Sequence, residues 1–179
     1  MNIYLIRHGA TQANEEHRYC GSTDLPLSEG GRKALRALHY EICPQYFVTS
    51  GRRRADETLQ ILFGDVPYCP DSRFREVDFG AFEMKTYEEL KGDPAYQAWI
   101  TGDNEANIPP GGESGTQMTC RGLEGFQELP DGTAVITHGG VIAAIMAHLF
   151  PEAGRHRYQR QPSNGRGYAL YPGGFREIP

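Results

Sequence analysis

Two histidines and a run of arginines stand at similar places in the sequence, each shortly after an apolar segment. Arg7-His8-Gly9 follows Met1–Ile6, Arg52-Arg53-Arg54 comes soon after Tyr46–Thr49, and His138-Gly139-Gly140 follows Thr133–Thr137. A guanidinium binds phosphate or carboxylate through two parallel hydrogen bonds, and an imidazole can act as a nucleophile or carry a proton. Glycine leaves room for a ligand to approach the backbone closely. These residue types together indicate a site for a phosphate group.

The basic residues are strongly biased towards arginine. Of the 18 basic residues only Lys33, Lys85 and Lys91 are lysines. Arginine is the residue suited to planar, bidentate recognition of phosphate and carboxylate, so the bias fits a phosphate site. Genomic base composition explains the same bias equally well, and the sequence leaves both explanations open.

The apolar segments are predicted to be strands that alternate with helices. The predicted strands are Met1–Ile6, Tyr46–Thr49, Thr133–Thr137 and a last strand, Tyr168–Tyr171, that ends at Pro172-Gly173-Gly174. Five helices are predicted. The first runs from the cap Ser28 to about Ile42, the second from the turn Ser50–Arg53 to Gly64, and the last over Val141–Phe150. Between them, the capping-box patterns Thr86–Glu89 and Ser114–Gln117 each begin a helix. Gly102–Gly112 is predicted to be a loop. This alternation predicts a parallel or mostly parallel sheet with helices on both faces.

The carboxyl ends of parallel strands meet at one edge of a sheet, where ligands of open α/β folds bind. His8, Arg54 and His138 each follow a predicted strand, so we expect them to converge there. Free amides at the start of the helix after Gly139-Gly140 are expected to attract an anion as well. A single histidine after one strand is more often structural, but convergence of three such groups indicates a binding site.

Composition excludes several other classes of protein. The 179 residues suit one domain, and 39% hydrophobic with 23% charged residues exclude a disordered chain or a coiled coil. The net charge of −5 argues against nucleic-acid binding. No apolar segment is long enough to cross a membrane or has the pattern of a signal peptide, which predicts a cytoplasmic protein without membrane contacts. Cys20, Cys43, Cys69 and Cys120 are widely spaced and predicted to be free thiols, and the 6 histidines show no metal-ligand spacing.

An ordered set of motifs runs along most of the chain. It comprises Arg7-His8-Gly9-Ala10-Thr11 with Asn14, Gly21–Gly30, Ser50 with Arg54-Ala55 and Thr58, Arg75–Gly80, Pro110–Ser114 and Thr137–Val141. In their order and spacing these motifs resemble the histidine phosphatase superfamily. The resemblance covers about residues 1 to 150. It implies a phosphoglycerate mutase-like α/β fold, a three-layer α/β/α sandwich with a mostly parallel sheet.

The resemblance also implies roles for individual residues. His8 would be the nucleophile that becomes a phosphohistidine, while Arg7, Arg54 and His138 would bind the phosphoryl oxygens. Glu76 would be the general acid and base, its carboxyl held partly protonated beside an aromatic residue such as Phe79. The remaining expected substrate-binding or supporting residues are Thr11, Asn14, Arg18, Gly139 and the segment Gly112–Ser114.

No metal or other cofactor is expected, because guanidinium groups and imidazoles can neutralise the phosphoryl oxygens. The expected partner is a small-molecule phosphate ester. The sequence leaves the oligomeric state open.

Three short segments depart from the usual pattern of that superfamily. Gly51-Arg52 replaces a common Asp-Leu-like pair, so Arg52 or Arg53 either enlarges the basic rim of the site or points to solvent, and we favour solvent. Met84 follows the aromatic-Glu pair where glycine is common, and this change can reshape the rim. Cys20 stands where glutamine is frequent and is predicted to be a pocket-wall or packing residue.

The choice of substrate depends on the segment between Glu76 and His138. It is compact, whereas phosphoglycerate mutases carry a long insertion there, and it is similar to the corresponding segment of α-ribazole phosphatases. Tyr87, Tyr96 and Trp99 either stack on a benzimidazole-like base or pack into the core, and we favour packing.

We therefore expect an α-ribazole 5′-phosphate phosphatase of cobalamin synthesis. The alternatives are a broad-specificity sugar-phosphate or nucleotide phosphatase, a phosphoglycerate mutase, or a noncatalytic sensor of a phosphate ligand. For the basic segment Arg155–Arg160 the sequence leaves three interpretations open: a rim of the substrate site, a surface for a partner, or a segment without function.

Overall fold

The computed structural model describes residues 2–103, 105–151 and 157–179. Within these ranges six strands form one sheet: β1 (Ile3–Arg7), β2 (Tyr46–Thr49), β3 (Cys69–Pro70), β4 (Thr133–Thr137), β5 (Gly167–Tyr171) and β6 (Gly174–Ile178). Their spatial order is β3-β2-β4-β1-β5-β6. The first four strands in this order, β3, β2, β4 and β1, run parallel to one another. β5 pairs antiparallel with β1, and β6 pairs antiparallel with β5. The prediction of a mostly parallel sheet is confirmed.

Seven α-helices are described together with three short 3₁₀ turns. The helices are α1 (Gln12–Glu15), α2 (Glu29–Arg36), α3 (Arg53–Phe63), α4 (Tyr87–Leu90), α5 (Pro94–Ile100), α6 (Gly115–Gln127) and α7 (Gly139–Leu149), and the 3₁₀ turns are Ser72–Phe74, Gly80–Phe82 and Arg157–Arg160. The predicted capping boxes are present, with Thr86 as the N-cap residue of α4 and Ser114 as that of α6. None of the described helices combines the length and the apolar character needed to span a bilayer.

Alternating strand side chains build one apolar cluster on each face of the sheet. Ile3 and Leu5 of β1 pack with Val135 and with residues of α6 and α7. Ile6 and Ile136 pack on the opposite face with Ala55 and Leu59 of α3. Because successive side chains of a strand point to opposite faces, one short sequence holds both helical layers in place. The three-layer α/β/α architecture is therefore confirmed.

The C-terminal part of the sheet differs from the prediction. Tyr168–Tyr171 is not the last strand, because the chain turns at Pro172-Gly173 and returns as β6. Gly173 has a φ of +92°, which suits a tight hairpin turn. Phe175 of β6 then packs on Phe150 and Tyr168, so apolar contacts hold the added strand.

The boundaries of two helices also differ from the prediction. The predicted helix to Ile42 ends at Arg36, and Tyr40 and Ile42 instead reach the apolar cluster beside α3. The helix predicted to begin at Val141 begins at Gly139, with His138 as its N-cap residue. Met1 of the first predicted strand and Asn104 of the predicted loop lie outside the described residues. All four cysteines are free, as predicted.

Candidate active site

The ends of three parallel strands bring the predicted site residues together. Arg7 of β1 pairs with Thr137 of β4, and Thr49 of β2 pairs with Ile136, so the next residue of each strand emerges at the same edge. The His8 and His138 rings consequently lie with their centroids 5.0 Å apart. The predicted convergence of both histidines at the carboxyl edge of the sheet is confirmed.

The environment of His8 selects one tautomer of its ring. Its Nδ1 lies 2.7 Å from the Gly9 carbonyl oxygen, which can only accept a hydrogen bond, so Nδ1 carries the proton. Nε2 is then left with a free lone pair. Burial, followed by the positive charges of Arg54 and Arg7, lowers the pKa of His8 well below its ordinary value. A neutral imidazole with a free Nε2 can act as a nucleophile.

His138 is also buried and hydrogen-bonded on one side only. Its Nε2 lies 2.8 Å from the Ser50 hydroxyl, whereas its Nδ1 is buried and has no partner. Burial and then the positive charge of Arg54 lower the pKa of His138 well below the ordinary value for histidine. If Ser50 donates its proton to Nε2, the Nδ1–H group of His138 is free to donate to a ligand.

Arg7 and Arg54 add two guanidinium groups beside the histidines. Arg54 is 1% exposed and donates to the carbonyl oxygens of Thr23 (2.7 Å) and Gly21 (2.8 Å), and Arg7 donates to Pro162 (2.8 Å). Neither forms an ion pair with a carboxylate within the described ranges. Burial is the main cause that lowers the pKa of each guanidinium, so an anion at this place would offset the cost of burying two positive charges.

The unsatisfied buried side-chain atoms of the described residues are concentrated in this one region. They are Arg7 Nε, Arg52 Nε, Arg54 Nε and His138 Nδ1. A buried donor without a partner is costly, and folded proteins rarely retain one without a reason. Three of these nitrogens, on Arg7, Arg54 and His138, lie beside His8 without acceptors and therefore fit a bound oxyanion.

Glu76 is held at the N-terminus of α7 rather than in solvent. One carboxylate oxygen accepts from the Gly140 N–H (2.9 Å) and the other from the Val77 N–H (3.0 Å). A Cβ atom at Gly140 would lie 2.3 Å from the carboxylate, and one at Gly139 would lie 3.2 Å from Cζ of Arg7. The glycine pair was predicted to admit a ligand and to leave helix amides for an anion. The structure shows that it admits these two side chains, and that the Gly140 amide already serves Glu76.

Thr11 and Asn14 form the capping box of α1, next to the site. The Thr11 N–H and hydroxyl both donate to Asn14 Oδ1 (3.0 Å each), which fits the predicted supporting role. Asn164 Nδ2 donates to the His8 carbonyl (3.0 Å) and lies near Asn14 Oδ1 (3.4 Å). Sequence reasoning missed Asn164, because Ser163-Asn164-Gly165 has the composition of an ordinary turn.

A cavity of about 510 Å³ opens beside this polar cluster. Arg7, Glu76 and Asn14 line its polar end, and Tyr19, Phe79, Trp99 and Met118 form an apolar wall. Cys20 lies in the cavity wall, as predicted, and burial raises the pKa of its thiol.

Of the three aromatic residues considered from the sequence, only Trp99 lines the cavity. Tyr96 is 1% exposed within an aromatic cluster, its hydroxyl 2.6 Å from that of Tyr19, so the packing interpretation is confirmed for Tyr96. Tyr87 is 52% exposed at the surface. Sequence reasoning missed Tyr19 and considered Phe79 only as a neighbour of Glu76, because these residues lie in separate segments that only the fold brings together.

Arg18 and the segment Gly112–Ser114 lie at the rim with partners of their own. Arg18 lines the cavity but binds Glu16 (2.5 Å), Glu89 (2.9 Å) and the Met84 carbonyl (2.8 Å). Gly112 packs against the Asp78 carbonyl, and the Ser114 hydroxyl caps α6. Of this segment, Glu113 lines the cavity.

The expectation that both extra arginines point to solvent is wrong for Arg52. Arg53, the first residue of α3, is exposed and lies near Glu57 (3.6 Å). Arg52, the N-cap residue, is half-buried with its Nε enclosed, because the turn that precedes α3 directs it to the site.

The basic segment near the C-terminus is a separate case. Arg160 is buried and donates to the carbonyls of Met146 (3.1 Å) and Phe150 (2.9 Å), so it caps the end of α7 rather than forming a surface patch. Arg155 lies outside the described residues.

The fold is that of phosphoglycerate mutase-like α/β proteins. Residues 3–170 match the sequence profile of the histidine phosphatase superfamily, branch 1. The chain belongs to this superfamily. The similar curated members of the superfamily are named as phosphatases or mutases.

Curated relatives with different activities are about equally similar. An adenosylcobalamin/alpha-ribazole phosphatase of Salmonella typhimurium is 31% identical over 162 residues (83% of this chain and 79% of that protein). A 2,3-bisphosphoglycerate-dependent phosphoglycerate mutase of Gloeobacter violaceus is 33% identical over 171 residues (84% and 77%). A metal-independent phosphoserine phosphatase of Arabidopsis thaliana is 30% identical over 162 residues (82% and 68%).

Solved structures agree in fold over the whole chain. A candidate alpha-ribazole-5′-P phosphatase from Escherichia coli superimposes with a TM-score of 0.84 at 24% identity, covering 99% of this chain and 94% of that one. A phosphoglycerate mutase from Thermus thermophilus superimposes with a TM-score of 0.79 at 28% identity, covering 100% and 99%. These comparisons support an enzyme of the phosphatase type and leave its alcohol substrate to be identified.

Proposed function

We propose that the protein is a metal-independent phosphomonoesterase that works through a phosphohistidine on His8. The observation that supports it best is a neutral, buried imidazole with a free Nε2, surrounded by guanidinium nitrogens that lack an anionic partner. Phosphoryl transfer spreads negative charge over three oxygens, and Arg7, Arg54 and His138 are the donors available to them.

The reaction then has two steps. In the first, His8 Nε2 attacks phosphorus, the P–N bond forms, the ester P–O bond breaks, and the carboxyl of Glu76 gives its proton to the leaving alcohol oxygen. In the second, Glu76 takes a proton from water, the water oxygen attacks phosphorus, and the P–N bond breaks to return neutral His8 and inorganic phosphate. Glu76 is positioned for both steps because it lies at the polar end of the cavity.

The phosphohistidine is the step that can be tested most directly. We expect His8→Ala to abolish turnover of p-nitrophenyl phosphate and the acid-labile, ³²P-labelled phosphoenzyme trapped after rapid quenching. His148→Ala is the matched control, because His148 lies exposed on α7. EDTA should leave wild-type activity intact. Full activity of His8→Ala, or loss of activity on chelation that a divalent ion restores, would contradict the proposal.

For the substrate we propose α-ribazole 5′-phosphate. The aromatic wall of Tyr19, Phe79 and Trp99 gives the alcohol side of the ester a surface on which a planar base can stack. The cavity volume of about 510 Å³ lies in the range of small-molecule sites. Two of the curated relatives are adenosylcobalamin/alpha-ribazole phosphatases, at 31% and 30% identity.

A side-by-side substrate panel separates this proposal from its alternatives. We expect a higher kcat/KM for α-ribazole 5′-phosphate than for 3-phosphoglycerate, phosphoserine or fructose bisphosphates, because only the first can use the aromatic wall. Trp99→Ala should lower kcat/KM for α-ribazole 5′-phosphate more than that for 3-phosphoglycerate. Uniformly weak hydrolysis would favour a broad-specificity phosphatase, and efficient turnover primed by 2,3-bisphosphoglycerate would favour a mutase.

A further inference from the structure

A second cavity of about 330 Å³ lies beside the first, and Glu76 lines both. Its other walls include Arg52, Arg75 and Arg121, together with Ser22 and Ser72. The second cavity is therefore adjacent to the proposed phosphoryl site but lies away from the aromatic wall, and the function proposed above assigns it no role.

The acidic residues of the second cavity have partners within the protein. Asp78 accepts from the Ser22 hydroxyl (2.9 Å) and the Gly80 N–H (2.8 Å). Glu113 forms an ion pair with Arg121, which also donates to the carbonyls of residues 73, 75 and 76. Glu76 is bound by the backbone N–H groups described above. The hydrogen-bonding capacity of Arg121 is consequently used inside the fold.

Arg52 and Arg75 lack such partners. Neither forms an ion pair within the described ranges, and the side-chain hydrogen bond of Arg75 runs from Nε to the Ser50 carbonyl (3.3 Å). The Nη groups of Arg75 are thus available for a ligand. The Nε of Arg52 is buried and has no acceptor. Arg52 and Arg75 therefore bring guanidinium nitrogens without acceptors to a cavity that the carboxylates of Glu76, Asp78 and Glu113 also line.

We propose that Arg52 and Arg75 form a second anion subsite, which binds a carboxylate or phosphate next to the phosphoryl group held at His8. A guanidinium fork matches both of these anions in geometry and charge. The inference rests on one part of the proposed function, namely that the reacting phosphoryl group is bound at His8. It extends the substrate class to phosphate esters whose alcohol part carries a second negative charge, a group that α-ribazole 5′-phosphate lacks.

The subsite can be tested with esters that differ only in the second charge. We measure kcat/KM for phenyl phosphate and for its 3- and 4-carboxylated forms with the full-length wild type, Arg52→Gln and Arg75→Gln. The readout is the ratio of carboxylated to plain ester, which cancels any general effect of a variant on phosphoryl transfer. We expect this ratio to fall roughly tenfold in both variants, as for loss of a charge-assisted hydrogen bond.

Arg53→Gln is the matched control, because it removes the same charge one residue away on a side chain that faces solvent. It should leave both the rates and the ratio as in the wild type. A ratio that both Arg52→Gln and Arg75→Gln leave unchanged would overturn a subsite for a substituent of the substrate.

Free inorganic phosphate is the other source of the same anion chemistry, and product inhibition detects it. If free phosphate occupies the second subsite, it inhibits wild-type hydrolysis of phenyl phosphate with a noncompetitive component. This component of the inhibition should be absent in Arg75→Gln. Absence of both effects overturns the subsite altogether. The proposed function fails by a different result, namely no phosphoenzyme and no turnover of phenyl phosphate by the wild type.

Discussion

At the scale of single residues, the position of Glu76 determines what kind of catalysis the site can perform. Its two carboxylate oxygens are fixed by the amides of Val77 and Gly140, and its carboxyl faces the cavity that would hold the leaving alcohol. A group held this rigidly can transfer a proton without first being ordered, which is how positioning contributes to rate. The proposed mechanism asks it to give a proton and then to take one.

Glu76→Gln tests this role, because glutamine keeps the shape and one of the two acceptor oxygens but cannot deliver the proton. We expect kcat/KM for an alkyl phosphate to fall by roughly 10² to 10⁴, the usual contribution of a general acid. The rate for p-nitrophenyl phosphate should fall much less, because p-nitrophenolate leaves without protonation. Steady-state kinetics combined with single-turnover trapping separates formation of the phosphoenzyme from its hydrolysis. Equal, small losses for both esters would show that another group supplies the proton.

At the scale of elements, residues 21–23 connect a distant carboxylate to the phosphate-binding residues. The Glu83 carboxylate accepts from the N–H groups of Gly21 (2.9 Å), Ser22 (2.9 Å) and Thr23 (3.2 Å), and from the Thr23 hydroxyl (2.6 Å). The carbonyls of Gly21 and Thr23 in turn hold the two Nη atoms of Arg54. Glu83 therefore positions Arg54 through the loop without touching the cavity itself.

Removal of Glu83 should misplace Arg54 rather than only weaken the fold. We expect Glu83→Ala to lower kcat by roughly ten- to a hundredfold, a cost in the range known for small displacements of catalytic groups. Vanadate, an analogue of the phosphoryl group, should bind more weakly in parallel. Glu83→Gln keeps one acceptor oxygen and should recover part of both losses.

Glu88→Ala is the control for Glu83, because Glu88 is an exposed carboxylate whose one ion-pair partner among the described residues is Lys91. Thermal unfolding of each variant identifies simple destabilisation. If Glu83→Ala lowers the melting temperature but leaves vanadate affinity unchanged, Glu83 supports the fold alone and does not position Arg54.

The elements also show which structural features sequence patterns can predict. The apolar strands, the capping boxes and the strand-end histidines depend on local periodicity and on the geometry of parallel sheets, so their prediction from the sequence was sound. The hairpin to β6 was missed because Pro172-Gly173-Gly174 is equally typical of a chain that simply ends its last strand.

The parts of the site that the sequence did not predict depend on long-range packing. Tyr19, Phe79 and Trp99 form one wall although they are far apart in the chain, and no periodicity connects them. Arg52 and Arg53 are adjacent and chemically identical, yet one is half-buried and the other exposed. Only the local path of the turn before α3 separates their roles.

At the scale of the whole molecule, burying two neutral histidines makes folding depend on pH. In the unfolded chain each histidine binds a proton as the pH falls through about 6.5, whereas in the folded protein the pKa of both His8 and His138 lies well below that value. Between these two values the unfolded state binds more protons than the folded state. The free energy of unfolding therefore decreases on acidification below about pH 6.5 and is fully retained above it.

The expected size of this effect between pH 7.5 and pH 5.5 is a loss of about 1.4 kcal/mol for each histidine, or about 2.7 kcal/mol for the pair, because the unfolded histidines titrate across this range. We expect urea denaturation of the wild type between pH 7.5 and 5.5 to show this loss. Over this range the double variant His8→Asn/His138→Asn should lose less free energy of unfolding than the wild type by about 2.7 kcal/mol, whereas the exposed His148→Asn should show the wild-type loss. The pH range stays above the titration of ordinary carboxylates, so the difference between the two losses reports the two histidines alone. A double variant that retains the full wild-type loss would mean that His8 and His138 take up protons within the fold, and the neutral, nucleophilic state of His8 would then have to be abandoned.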